Sequence, residues 1–303
     1  VTQTIPGAPE ATAAPAAASG DVPEIEPRVS RSWWRLIVLA FGALLFLFPF
    51  YYMVVGSLQR TANTALSGVI PWPGNLTLHN YSQINAALSL GKALLNSAIF
   101  TGGVLLGTLV FGVLAGYALA QLRFRGRGLV FAFMLLLLMV PFQLLIIPLY
   151  VLIVRDYGLG NSYLGMIAPF AINSTAVFIF RQFFLHLPKE LFDAARIDGA
   201  SELRVLTRVA LPLVRPAVLT AMLLTFIGPW NEFLWPLLIT KQQSMQPLTV
   251  ALANYISTVS GVATNPYGAI MAGAVVLAVP VVVLVIVFQR HFVSVNIGSA
   301  VKG

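Results

Sequence analysis

The sequence predicts an all-α integral membrane protein with six transmembrane helices. Three observations carry that prediction. Of 303 residues, 58% are hydrophobic and only 9% charged, with a mean hydropathy of +0.86, whereas a water-soluble domain carries roughly a quarter charged residues. Six stretches are apolar enough to cross a bilayer, which takes about 20 residues of helix. The basic residues fall mostly on one side of those stretches, as membrane topology requires. The apolar runs are continuous rather than alternating, which selects helices over a transmembrane barrel.

Residues 1–27 contain no Lys or Arg, four acids and much Ala, Pro, Thr and Gly. Such a segment buries too little apolar surface to offset its ordering entropy. A disordered tail is expected there, without the basic start and apolar core of a signal peptide. The membrane domain follows over 28–303, with its core at about 90–290. Its predicted spans run from near Arg35 to Leu58, Leu94 to Leu119, Leu129 to Val154, Tyr163 to Phe184, Ala217 to Ile239 and Gly268 to Phe288. The second carries Gly103, Gly107, Gly112 and Gly116, two pairs at GxxxG spacing. Small residues so spaced let helix backbones approach closely in lipid; a pore-lining glycine face is the alternative.

Charge orients the bundle. With the N-terminus inside, fourteen basic residues are cytoplasmic: Arg28, Arg31, Arg35, Arg123, Arg125, Arg127, Arg181, Lys189, Arg196, Arg204, Arg208, Arg215, Arg290 and Lys302. Four, namely Arg60, Lys92, Arg155 and Lys241, lie outside. Both termini are therefore expected in the cytoplasm.

The long segment from Pro188 to Pro212 joins spans four and five. Pro188 is placed as a first-turn proline. Leu191, Phe192 and Ala195 then share a helical face. Asp198-Gly199 interrupts the helix, and Gly199 supplies the left-handed conformation that helix ends often use. Asp198 or Ser201 is a candidate cap for a second helix. In that helix Leu203, Leu206, Ala210 and Leu213 are expected on one face, with Arg204, Arg208 and Arg215 opposite. Two readings fit the pattern: an amphipathic helix at the lipid surface, or a helix–turn–helix that docks a cytosolic partner.

Here the sequence resembles the inner-membrane permeases of binding-protein-dependent ABC importers. Their loop motif runs E-A-A, three residues, G, nine residues, I-x-L-P. The matching residues are Asp193, Ala194, Ala195, Gly199, Val209, Leu211 and Pro212, with Asp193 for the usual Glu and Val209 for the usual Ile. The Asp198-Gly199-Ala200 step looks like the version in carbohydrate permeases. Leu119–Arg127, Pro141-Phe142-Gln143, Pro148-Leu149-Tyr150 and Trp230-Asn231-Glu232-Phe233 also resemble family segments. The ending Ala300-Val301-Lys302-Gly303 is similar to that of the maltose-permease-like branch, while Val295–Gly298 fits it less well. The resemblance covers about residues 33–303. It implies a type I ABC importer permease in a bacterial inner membrane. Its loop residues Glu190, Asp193, Ala194, Ala195, Asp198, Gly199, Ala200, Ser201 and Pro212 would form coupling helices seated on an ABC ATPase dimer. A bulky side chain at Ala195 would then clash with the ATPase. The other implied partners are a second, related permease chain and an extracytoplasmic solute-binding protein, which meets the outer loops at 59–91 and 240–267.

The chain has no P-loop pattern, no HExxH and no Cys, and its three His, His79, His186 and His291, are scattered. ATP and Mg are thus assigned to the partner ATPase, with no cofactor, metal site, catalytic residue or nucleic-acid partner expected in this chain. Glu232 is the one acid well inside a predicted span, flanked by Pro229 and Pro236. Intramembrane acids face a cavity or a partner. Gly228–Glu232 therefore reads as a broken helix, with Trp230, Asn231 and Glu232 as path or gate candidates. The alternative is a Glu fixed by a neighbouring helix's hydrogen bonds, or one sitting at the outer headgroup level. The leading function is import of a carbohydrate. Import of another small polar solute, or secondary transport, is the runner-up.

Overall fold

The computed structural model describes residues 33–61, 65–259 and 266–300. The tail expected over 1–27 lies outside the described residues. The chain divides into two units, residues 1–47 and 48–303. In the first, residues 33–47 begin helix α1 (Trp33–Ser57) and are exposed almost throughout, Phe46 by 79%. An apolar helix exposed all round takes lipid as its solvent.

The second unit continues through α2 (His79–Leu88), α3 (Leu90–Gln121), α4 (Arg127–Leu138), α5 (Phe142–Tyr150), α6 (Tyr163–Ile167) and α7 (Ser174–Leu185). Next come α8 (Lys189–Ile197), α9 (Glu202–Arg204), α10 (Leu211–Leu213), α11 (Arg215–Asn231), α12 (Leu234–Ile239), α13 (Leu248–Val259) and α14 (Pro266–Ala300). A π-helical turn, Val151–Asp156, extends α5, and another, Val205–Ala210, joins α9 to α10. Among the described residues, three helices are long and apolar enough to span alone: α1, α3 and residues Pro266–Gln289 of α14. By length and composition the number rises to as many as six if each of three bent pairs is one span: Arg127–Leu138 with Phe142–Asp156 at 96°, Tyr163–Phe170 with Ser174–Leu185 at 49°, and Glu202–Leu213 with Arg215–Asn231 at 80°.

The third, fourth and fifth predicted spans are thus not continuous helices. In the third, Pro141 is extended (φ −61°, ψ 130°). Its ring also disfavours the helical region for the residue before it. In the fourth, extended Asn173 interrupts the helix, and its Oδ1 caps α7 by accepting the Ala176 amide at 3.1 Å. In the fifth, α11 stops at Asn231 and Glu232 is extended (φ −64°, ψ 129°) before α12 begins. The break falls three residues after Pro229, which lies inside α11.

Gly103, Gly107, Gly112 and Gly116 of α3 are packing residues, each with a neighbouring side chain close to where a β-carbon would stand. A β-carbon on Gly116 would meet Cβ of Phe180 at 2.6 Å, and one on Gly107 would meet Cβ of Ala171 at 2.7 Å. The close approach of α3 to α7 and to the turn that precedes it needs these hydrogens. At the end of α3 that carries Tyr117, a buried cluster gathers Tyr117, Phe180, Phe184, Phe192, Val205, Ala210, Val214 and Ala217. It draws on α3, α7, α8, the π turn and α11, so the Pro188–Pro212 segment is built into the core.

Candidate functional site

The segment between α7 and α11 folds as two short arms around Gly199. Pro188 is extended (φ −57°, ψ 132°) and stands just before α8 rather than in its first turn. α8 puts Phe192 into the core at 1% exposure and leaves Ile197 85% exposed. Gly199 has φ +78°. Its amide donates to the Arg196 carbonyl, and that of Ala200 to the Ala195 carbonyl, both at 3.0 Å. These two bonds make a Schellman ending, in which a left-handed residue satisfies the last free carbonyls of the helix. Ala195 and Ala200 pack beneath it against the buried cluster. Ala195 is thus partly buried, packed against the chain's own cluster on one side. Leu191, expected beside Phe192 on that face, is 41% exposed.

An ionic link holds the arms together. Arg196 Nε donates to Glu202 Oε1 at 2.8 Å, and Arg196 also pairs with Asp193 at 3.3 Å. The Tyr117 hydroxyl, on 3%-exposed Tyr117 of α3, donates to Glu202 Oε2 at 2.7 Å. These bonds tie the loop to a membrane helix. The hydrogen bond from Arg196 is the main cause holding the Glu202 carboxyl below its ordinary value, and it raises the Arg196 guanidinium.

The second arm differs from its predicted facing. Val205, Leu206, Ala210 and Val214 are buried, whereas Leu203 is 64% and Leu213 49% exposed. The π turn is the reason: its i→i+5 bonding widens one turn and rotates the buried stripe relative to a regular helix. Ser201 precedes α9 but makes no side-chain cap bond, and Asp198 ends α8 rather than starting the next helix. Glu190, Asp193, Ala194 and Ser201 are exposed, as is Pro212. Pro212 lines an apolar groove of about 750 Å³ with Leu109, Val113 and Leu203.

The other candidate residues lie at the α11–α12 break. Glu232 Oε1 accepts the amides of Leu234 at 3.0 Å and Trp235 at 3.2 Å, so it caps α12. Neither sequence reading of Glu232 included this local role. Asn231 is exposed and donates to the Ile227 carbonyl at 3.0 Å. Trp230 is buried; its indole donates to the Leu277 carbonyl of α14 at 3.0 Å and its ring stacks on Phe226. It pins two helices together. It also edges an apolar crevice of about 590 Å³ with Thr101 and Pro280.

Residues 108–294 match the family described as the binding-protein-dependent transport system inner membrane component. The chain belongs to that family. Among relatives of this permease is the arabinooligosaccharides transport system permease protein AraQ of Halalkalibacterium halodurans, 35% identical over 90% of this chain and 97% of that one. The sn-glycerol-3-phosphate transport system permease protein UgpE of Yersinia pestis is 35% identical over 85% and 92%. A crystal structure of a bacterial ABC transporter involved in the import of the acidic polysaccharide alginate shares the permease fold. Its matching chain has a TM-score of 0.73 and 24% identity, over 86% of this chain and 95% of that one. The protein is thus a multi-pass inner-membrane transport permease and not itself an enzyme family member.

Within the permease, the motif residues Ala195, Gly199, Ala200, Val209 and Leu211 come together as turn and packing residues of one unit. Tyr117, Arg196 and Glu202 were not singled out as site residues from the sequence. Tyr117 and Glu202 stand 85 positions apart, and no local pattern announces such a pairing.

Proposed function

We propose that this permease forms one half of the translocation path of an ATP-driven importer for a carbohydrate. The α8–Gly199–α9 unit seats on an ABC ATPase dimer, which binds ATP and Mg and performs the hydrolysis. A related second permease chain completes the path, and an extracytoplasmic binding protein delivers solute to the loops at 59–91 and 240–267. Both termini and the 188–212 loop are cytoplasmic, on the strength of the fourteen-to-four split of basic residues.

One observation carries this reading. The loop is a rigid unit, closed by the Schellman bonds and the Arg196–Glu202 pair and rooted in the core through Phe192 and Val205. A segment so fixed can pass a push to α3 and α11, while exposed Ala194, Ile197 and Leu203 remain for a partner. At the other candidate site, the break between α11 and α12 is the proposed gate. Glu232 holds its two halves in register, Asn231 is open to the path, and Trp230 anchors the moving helix to α14. The relatives' names support a carbohydrate. The relative named for sn-glycerol-3-phosphate, a phosphorylated polyol, favours a second reading with another small polar solute.

The test is co-purification of the ATPase with Ile197→Asp and Leu203→Asp, both on exposed positions that leave the core intact. Each should weaken association about tenfold or more, the order expected for losing one buried aliphatic side chain. Undiminished association and solute-stimulated hydrolysis in both variants would remove the coupling assignment.

A further inference from the structure

We propose that the cavity between the α3–α4 turn and α8 is a binding site for a phosphate-bearing anion. The cavity holds about 670 Å³ and is lined by five cationic side chains, Arg123, Arg125, Arg127, Lys189 and Arg196, against one carboxylate, Asp193. Asp193 is engaged by Arg196 at 3.3 Å, and Arg196 turns its Nε to Glu202 at 2.8 Å. Arg127 donates to the Leu122 carbonyl at 3.2 Å. Among the described residues, no carboxylate pairs with Arg123, Arg125 or Lys189. Three unpaired cations thus converge on a concave surface that already holds two more. Their mutual repulsion is relieved by an anion, and arginine forks match phosphate oxygens bidentately.

The walls are set in advance. Gly126 turns the chain at φ +83°, and Gln121 ties the end of α3 to α7 by donating to the Phe184 carbonyl at 2.6 Å. A preformed site loses little freedom on binding. Phe124 and Leu185, each 44% exposed, stand beside the cations. An apolar flank next to a basic pocket suits a lipid, whose acyl chain covers the flank while its headgroup enters the pocket. Placement in the inner leaflet rests on the cytoplasmic orientation proposed above. Binding itself does not, so its failure would leave that reading standing.

The experiment uses the assembled transporter with wild-type chain, with Arg123→Gln/Arg125→Gln, and with Arg123→Lys/Arg125→Lys. One arm counts phosphatidylglycerol retained from phosphatidylcholine vesicles doped with it, by native mass spectrometry. The other titrates lipid-stripped transporter with inorganic phosphate. The Gln pair should lower affinity about 25-fold, about fivefold for each basic residue lost near an anionic surface. The Lys pair should stay within a few-fold of wild type, which separates charge from folding. Charge-dependent retention of phosphatidylglycerol alone assigns a lipid headgroup; charge-dependent phosphate binding assigns a soluble anion. Equal binding by wild type and the Gln pair in both arms, or none by either, overturns the site.

Discussion

Replacing Gly199 with Val isolates the conformational part of the coupling loop. At φ +78°, a β-carbon on Gly199 meets nothing within 4 Å, so there is no clash to relieve. The whole effect comes from holding an L-residue in the left-handed region, roughly 1–2 kcal/mol and more for a β-branched chain. Asn tolerates that region better than Ala, so the order of damage should be Asn, Ala, Val. What opens is defined by two bonds, Gly199 amide to Arg196 carbonyl and Ala200 amide to Ala195 carbonyl, each at 3.0 Å. Local opening made easier by about 1–2 kcal/mol speeds exchange of these amides by about 5- to 30-fold. Hydrogen exchange on the reconstituted transporter reads this directly, with solute-stimulated hydrolysis measured in parallel. Exchange at residues 199–200 that is the same in Val and wild type would refute the reasoning. A loss of coupling in the same order, with membrane insertion intact, is the expected result.

Four further outcomes follow from the geometry. Tyr117→Phe removes the donor to Glu202 without changing ring packing, and should reduce coupling while Phe184 and Phe192 keep their places; a wild-type transport-to-hydrolysis ratio would argue against the link. Because the Glu202 carboxyl is held below its ordinary value of 4.5, the stability it contributes is complete above that value. It is lost as pH falls through the lowered one, so the opening free energy of the loop, taken from exchange corrected for the intrinsic pH dependence of amide exchange, should be flat from about pH 8 to 5 and fall only in stronger acid. Gly116→Ala forces a β-carbon to 2.6 Å from Phe180 and should cost about 1–3 kcal/mol, read as a lower Tm in detergent, whereas Gly128→Ala, with open space around it, should not. Glu232→Ala removes the α12 cap, at about 0.5–2 kcal/mol, while Glu232→Gln keeps an acceptor oxygen. Uptake lost in Gln with stability unchanged would mark a path residue, and parallel losses only in Ala would mark a cap.

Apolar run length, charge bias and motif spacing were enough to read the membrane class, the loop and its glycine. These are local properties, because a span must be apolar along its own length and a left-handed turn selects glycine in place. The break at Glu232 was legible from Pro229 and Pro236, whereas those at Pro141 and Asn173 were not. A hydropathy window averages across a single extended residue, and a caps-and-turns role for Asn173 or Glu232 depends on where its side-chain oxygen points. The second arm's buried stripe was misassigned at Leu203 and Leu213 because one π turn shifts the helical register, and the sequence holds no marker for it.

The sequence by itself determined that this chain is apolar enough for lipid and where the patterned loop lies, since apolar run length and motif spacing are local properties. Only the tertiary structure decided what the loop is attached to. The Tyr117–Glu202–Arg196 link, the packing of Ala195 against the buried cluster and the convergence of Arg123, Arg125 and Lys189 join residues far apart in the chain. Such contacts depend on how α3 packs against α7, and that packing is set by the shapes of two helices together.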